Sequence, residues 1–139
     1  MSQLSAHIPV DIYGACGNHS CGKTRREKAA CDAIMADSKF YLSFENSLCT
    51  DYMTEKVWKV LLLRPGTVPV VLGGADYSLH LPPHSYIDVA DFSSPRDLAL
   101  YLLHLDRHEE EYQRYFWWRE HYTTIRNNWA EVRQTTELL

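Results

Sequence analysis

Two stretches of the sequence combine residue types that could hold a phosphate group. The first, GNHSCGKT at residues 17–24, matches the phosphate-loop pattern G-x-x-x-x-G-K-[ST], in which backbone N–H groups and a lysine surround the phosphates. Gly17, Lys23 and Thr24 therefore define one candidate nucleotide site. Three residues separate the pattern from the strand candidate before it, and the helix candidate after it begins with charged residues. This context favours a surface loop that matches the pattern by chance.

The second stretch, FYLSFENSLCTDYMTEK at residues 40–56, contains more polar and charged side chains that could bind a ligand. Its apolar start predicts a strand, which would end in three polar residues: Glu45, Asn46 and Ser47. A helix predicted to begin near Asp51 would carry three more on its first two turns: Tyr52, Glu55 and Lys56. A cation, carboxylates and the positive end of a helix dipole suit a ligand with phosphates and sugar hydroxyls. A solvated helix with a Glu–Lys pair is the alternative.

Strands and helices alternate along the whole chain. Apolar or aromatic runs predict strands at residues 9–13, 39–44, 68–74 and 85–92. Helical periodicity and capping residues predict helices at residues 24–36, 51–63, 95–105 and 107–122. This order predicts an α/β fold, a doubly wound parallel sheet with helices on both faces. Ligands of such sheets bind at the carboxyl ends of the strands, where residues 45–47 would lie.

Composition narrows the classes of function. The chain has 139 residues and a net charge of −4, which does not suggest a nucleic-acid partner. No run of eighteen apolar residues occurs, and the first residues lack the pattern of a signal peptide. Asn18 begins an N-glycosylation triplet, Asn-His-Ser, which slightly favours a secretory setting. His104 and His108, four residues apart, favour a solvated helix face over a metal site.

Four cysteines, Cys16, Cys21, Cys31 and Cys49, have a spacing that matches no zinc ribbon or finger. Their spacing alone leaves buried free thiols and disulfides as equal alternatives.

Four blocks of the sequence together resemble the C-terminal donor domain of the α-1,3-fucosyltransferases. They are FYLSFENSLCTDYMTEKVW, VPVVLGG, SYIDVADFSSPRDLALYL and YFWWRE, and the similarity covers about residues 8–120. The segment IPVDIYGACGNHSC also looks like the one that precedes these blocks in invertebrate members. The resemblance divides the chain into a short start at residues 1–7, an incomplete donor-binding domain at 8–123 and a C-terminal tail at 124–139.

The resemblance implies a two-domain GT-B enzyme that transfers fucose from GDP-fucose to N-acetylglucosamine of glycans, with inversion at the anomeric carbon. It implies a partial Rossmann-like fold and no metal or other cofactor besides the donor substrate. Six positions match the donor-site motifs: Tyr41, Glu45, Asn46, Tyr52, Glu55 and Lys56. Lys56 would meet the diphosphate and Glu55 the sugar hydroxyls, whereas Tyr41 and Asn46 would line the nucleotide pocket.

The resemblance also implies a setting and a partner. Members reside in the Golgi, on the lumenal side of its membrane, and hold an N-terminal anchor that is not matched here. The acceptor domain, which would bind a glycan or glycoprotein and supply the catalytic base, is not matched either. We therefore expect no catalytic residue in this chain and no transfer by the chain alone. A lumenal setting also predicts that Cys16 pairs with Cys21 or Cys31.

Two alternatives stay open at this point. One is a P-loop nucleotide-binding protein that uses Gly17, Lys23 and Thr24, and the other is a noncatalytic remnant domain.

Overall fold

The computed structural model describes residues 2–13, 17, 19–126 and 130–134. Its helices are α1 (Ser2–Ser5), α2 (Arg25–Ala36), α3 (Glu55–Leu63), α4 (Pro95–Arg107) and α5 (Glu109–Gln113). Its strands are β1 (Phe40–Phe44), β2 (Val68–Leu72), β3 (Ile87–Asp88), β4 (Tyr122–Arg126) and β5 (Ala130–Gln134). Short 3₁₀ turns lie at Tyr77–Leu79, Val89–Asp91 and Arg114–Glu120.

The first three strands form a parallel sheet in the order β1-β2-β3. In its register Phe40 lies opposite Val68 and Phe44 opposite Leu72, whereas Val70 lies opposite Ile87. The central strand β2 is almost fully buried, as its continuous apolar run VPVVL predicts for a strand covered on both faces.

Helices α3 and α4 cover opposite faces of this sheet. Val70 and Val71 are neighbours in β2, so their side chains point to opposite faces. Val70 packs in the cluster that contains Leu98, Leu102 and Leu105 of α4, whereas Val71 packs with Val57 and Leu61 of α3. The predicted α/β fold, with a parallel sheet and helices on both faces, is confirmed.

Three predicted elements are shorter than the sequence suggested. Residues 9–13 contribute only an isolated parallel bridge between Tyr13 and His19, in which the His19 N–H donates to the Ile12 carbonyl at 3.2 Å. The strand predicted at 85–92 ends at Asp88, whose carboxylate accepts the Ala90 N–H and starts a 3₁₀ turn. The last predicted helix changes to 3₁₀ geometry after Gln113.

Helix α3 begins four residues later than predicted, at Glu55, with Thr54 as its N-cap. Asp51 adopts a left-handed backbone with φ of 59°, and its N–H donates to the Gly74 carbonyl at 3.3 Å. The segment 47–54 therefore folds over Gly74 before the helix starts. A Cβ on Gly74 would collide with the backbone carbonyl of Cys49, so this close approach requires glycine.

The cysteines pair differently from the prediction. A disulfide joins Cys21, in the loop before α2, to Cys31 on the second turn of α2, with their Cα atoms 5.3 Å apart. The predicted bond from Cys16 to either of them is wrong, because those two cysteines are bonded to each other. Cys16 and Asn18 lie outside the described residues. Cys49 is free and exposed.

The chain continues into an antiparallel hairpin of β4 and β5, in which Tyr122 lies opposite Gln134 and Arg126 opposite Ala130. The division at residue 123 into a domain and a tail stays a prediction. In the part of the chain described by the structure, no helix has the length and apolar character needed to cross a bilayer.

Candidate functional site

The carboxyl edge of the sheet brings three of the predicted site residues together, two of them around the ammonium group of the third. Lys56, on the first turn of α3, donates from Nζ to the Phe44 carbonyl at 2.7 Å and to Asn46 Oδ1 at 3.1 Å. The same Nζ lies 3.6 Å from Glu45 Oε2. Because α3 runs back across the sheet from this edge, its amino end and the end of β1 meet here. Glu45, Asn46 and Lys56 therefore form one cluster.

Glu45 is the buried member of this cluster, with a side chain that is only 1% exposed. Its carboxylate accepts the Thr54 N–H at 2.7 Å and the Thr54 hydroxyl at 2.9 Å and 2.8 Å, and its own N–H donates to Leu72. A buried carboxylate needs such partners, because desolvation of an unpaired charge is costly. The geometry therefore makes Glu45 an internal anchor between the sheet and α3.

Glu55 and Tyr52 are the exposed members of the predicted set. Glu55 is the first residue of α3, and its 62% exposed side chain pairs with Lys59 at 3.1 Å. A hydrogen bond from its own backbone N–H, and then the bond from Lys59, lower the pKa of Glu55, so the carboxylate is ionised and open to hydroxyl groups. Tyr52 lies in the loop before α3, where its N–H donates to Cys49. The prediction that Tyr52 lies on the first two turns of this helix is wrong, because the helix begins at Glu55.

Tyr41 is not part of the cluster. It lies near the start of β1, four residues before Glu45, which is about 13 Å along an extended strand. Its ring packs under the Arg64 guanidinium at 4.8 Å, beside the carboxyl end of α3. It also lines a groove of about 560 Å³ between β1 and residues 8–13. Its contact with a nucleotide stays a prediction.

Two further residues lie at this edge: Thr54, which sequence reasoning missed, and Tyr77, which follows the Gly pair after β2. The Tyr77 hydroxyl is buried and has no hydrogen-bond partner among the described residues. Burial, and then the charge of Glu45, raise the pKa of Tyr77 to about 12, so the phenol stays protonated. The pair Gly73-Gly74 was the available signal: a Cβ on Gly73 would collide with this hydroxyl, so the glycine marks a close approach.

The described part of residues 17–24, which leaves out position 18, does not form an open phosphate loop. The Glu27 carboxylate accepts the Lys23 N–H at 3.0 Å, the Thr24 N–H at 2.9 Å and the Thr24 hydroxyl at 2.7 Å. A working loop directs these donors at phosphate oxygens. Here they serve a capping box at the start of α2, and these bonds lower the pKa of Glu27. The site is therefore filled by an acid of the chain itself, and the P-loop alternative is not favoured.

The described residues contain no group of three or more His, Cys, Asp or Glu side chains that could hold a metal ion. The rings of His104 and His108 stack at 3.9 Å, and His104 Nε2 lies 3.0 Å from an oxygen of Glu111. This arrangement is that of an exposed helix face.

Comparisons with known proteins agree on one family. The model of glycosyltransferase family 10 (fucosyltransferase), C-terminal part, matches residues 1–138. Alpha-(1,3)-fucosyltransferase C of Drosophila melanogaster is 47% identical over 121 residues, which are 87% of this chain and 28% of that protein. The human 4-galactosyl-N-acetylglucosaminide 3-alpha-L-fucosyltransferase FUT6 is 43% identical over 133 residues, 91% of this chain and 34% of the enzyme.

Solved structures support the same fold. The crystal structure of an alpha1,3-fucosyltransferase with GDP superposes with a TM-score of 0.63 at 25% identity, over 82% of this chain and 32% of that one. The structure with GDP-fucose gives a TM-score of 0.62 at 24% identity and the same coverage. The chain thus spans about a quarter to a third of the length of the relatives that it matches.

Proposed function

The chain belongs to glycosyltransferase family 10, the fucosyltransferases, and we propose that it supplies the donor-binding part of an α-1,3-fucosyltransferase that uses GDP-fucose. The observation that carries the proposal is the Lys56 ammonium at the amino end of α3, fixed between Phe44, Asn46 and Glu45. This is the carboxyl edge of the sheet, where doubly wound folds bind nucleotides.

The chemistry of fucose transfer fits this edge. When the bond between fucose and GDP breaks, negative charge develops on the diphosphate that leaves. Lys56 and the amino end of α3 would stabilise that charge, because both are fixed before the reaction and carry positive charge. Lys56 remains 30% exposed, so it can exchange the Asn46 oxygen for a phosphate oxygen. In this proposal the cationic groups of the chain replace a metal ion in donor binding.

The two carboxylates would have different tasks. Glu55 is exposed and ionised, so it suits hydroxyl groups of the fucose or ribose. Glu45 is enclosed by Thr54 and Lys56, so it cannot reach an acceptor hydroxyl. Neither is placed as the base that an inverting transfer requires. The acceptor, N-acetylglucosamine of a glycan, and the lumenal side of the Golgi as the place of action complete the proposal.

Titration calorimetry with GDP tests the site. We expect Lys56→Ala to weaken GDP binding about tenfold or more, because hydrogen bonds to charged groups contribute roughly 1.5–3 kcal/mol. Lys28→Ala, an exposed lysine on α2, is the matched control and should bind GDP as the wild type does. Guanosine, which has no phosphates, should bind both variants alike. Equal GDP affinity of Lys56→Ala and Lys28→Ala would refute the assignment.

A further inference from the structure

The start of α3 differs from the starts of α2 and α4 in how its capping residue is used. Thr24 at α2 and Ser94 at α4 accept a backbone N–H from the first turn of the helix that they precede, with distances of 3.3 Å and 3.2 Å. Thr54 at α3 makes no such bond. Its hydroxyl points to Glu45 instead and donates to the two carboxylate oxygens at 2.9 Å and 2.8 Å.

This orientation leaves the first turn of α3 without a side-chain cap. The N–H groups of the first turn have no carbonyl partner within their own helix. A threonine at the N-cap normally satisfies the one at the second or third position, here Lys56 or Val57. Because the Thr54 hydroxyl is directed at Glu45, these N–H groups remain available to an anion. They lie on the same turn as the Lys56 ammonium.

Glu45 is held firmly enough to impose this arrangement. Its side chain is 1% exposed, its carboxylate also accepts the Thr54 N–H, and it forms an ion pair with Lys56. One buried carboxylate thus fixes the hydroxyl of Thr54 and the ammonium of Lys56 together. We infer that Glu45 is a positioning residue, which keeps the amino end of α3 open to the donor's diphosphate by turning the Thr54 hydroxyl away from it. The inference rests on the proposed donor-binding function of this edge.

The direction in which GDP affinity changes when Glu45 is replaced distinguishes a positioning role from a purely electrostatic one. A carboxylate close to a diphosphate repels it, so removal of the Glu45 charge alone would strengthen GDP binding. Loss of positioning has the opposite result: a released Thr54 hydroxyl would cap α3 and compete with the phosphates. We therefore expect Glu45→Met, which is close to glutamate in size but has no oxygen that could hold the Thr54 hydroxyl, to weaken GDP binding about fivefold, the equivalent of one N-cap bond.

The double variant is the decisive measurement. Thr54→Ala has no hydroxyl to turn back, so it is the background in which the loss of Glu45 should matter least for GDP affinity. Thr54→Ala added to Glu45→Met should recover most of the lost affinity. If the double variant binds GDP no better than Glu45→Met, or if Glu45→Met binds GDP more tightly than the wild type, the inference is wrong.

Amide hydrogen exchange, measured by NMR without any ligand, tests the same arrangement independently. The amides of Lys56 and Val57 should exchange rapidly in the wild type. One of them should slow in Glu45→Met, as the Thr54 hydroxyl caps it, and become rapid again in the double variant. Identical exchange in the wild type and in Glu45→Met would overturn the inference. A wild type that shows this exchange pattern but binds no GDP would overturn the donor-binding proposal and leave the role of Glu45 at Thr54 intact.

Discussion

Helices α2 and α3 each begin after a threonine that donates hydrogen bonds to a glutamate, but the two glutamates come from different parts of the chain. At α2 the carboxylate belongs to Glu27, three residues after Thr24 in the same helix. At α3 it belongs to Glu45, at the end of the neighbouring strand β1. Both carboxylates accept the N–H and the hydroxyl of their threonine. The donors at the start of α2 are therefore occupied by a residue of α2 itself, whereas the arrangement at the start of α3 depends on a residue from the neighbouring strand.

This difference explains why the phosphate-loop pattern at residues 17–24 is not favoured as the nucleotide site. The pattern at residues 17–24 supplies lysine and threonine, but Glu27 reaches back and occupies their backbone donors. At α3 the acid lies inside, and the exposed part of Lys56 faces outward. A loop binds an anion only where its N–H groups are free. A carboxylate from the helix itself occupies these groups and caps the helix, whereas a carboxylate from the neighbouring strand can leave them free for a ligand.

Gly74→Ala should lower the stability of the protein most, and it should act through the start of α3. The added Cβ would collide with the backbone carbonyls of Leu48 and Cys49, so the loop that leads to Thr54 must move. We expect the free energy of unfolding to fall by about 1–3 kcal/mol, with weaker GDP binding as well. Gly66→Ala is the matched control, since no atom lies within 4 Å of its added Cβ. Equal denaturant midpoints for the two variants would contradict this account of the loop.

Thr24→Ala should have a smaller effect and a distinct dependence on pH. Loss of the cap should lower the free energy of unfolding by about 1 kcal/mol at neutral pH, with no change in GDP affinity. The bonds from Thr24 and Lys23 lower the pKa of Glu27 from its ordinary value of 4.5. The stabilisation by ionised Glu27 is therefore complete above pH 4.5 and is lost as the pH falls through the lowered folded-state pKa.

The difference in stability between the wild type and Thr24→Ala should accordingly shrink in acid. Urea unfolding between pH 7 and pH 3 measures it, with Glu27→Gln as the control that lacks the titrating group. A difference that stays constant over this range would mean that Glu27 does not take part in the cap.

Local sequence patterns were sufficient to predict the features that depend on only a few neighbouring residues. The start of α4 follows from Ser94-Pro95 and the burial of β2 from its apolar run, because caps and hydrophobic patterns act over a few residues. The start of α3 was misplaced for the opposite reason. Asp51 is as good a local cap as Thr54, and the choice between them is made by Glu45 and Gly74, which are distant in sequence.

The candidate site was predictable to the same extent. Glu45, Asn46 and Lys56 follow from a strand end and a helix start, so their proximity was correctly expected. The burial of Glu45 and the buried hydroxyl of Tyr77 depend on how the loop and the 3₁₀ turn pack against the sheet. No local pattern records that packing, so the contacts of Glu45 with Thr54 and Lys56 were not foreseen, and its assignment to the donor site stays a prediction.

Lys23→Ala should change nucleotide binding and stability least of all, and this result would still distinguish between the two helix starts. Lys23 contributes its backbone N–H to Glu27, and alanine retains that N–H, so the cap of α2 should survive. Its side chain would matter only if residues 17–24 held phosphates, because the lysine of a P-loop contacts them directly. We expect GDP and ATP titrations of Lys23→Ala to match those of the wild type, and its free energy of unfolding to stay within about 0.5 kcal/mol of the wild-type value, as is usual for surface substitutions. A loss of nucleotide binding in Lys23→Ala, with Lys56→Ala unaffected, would reverse the comparison between the two helix starts and place the nucleotide at α2.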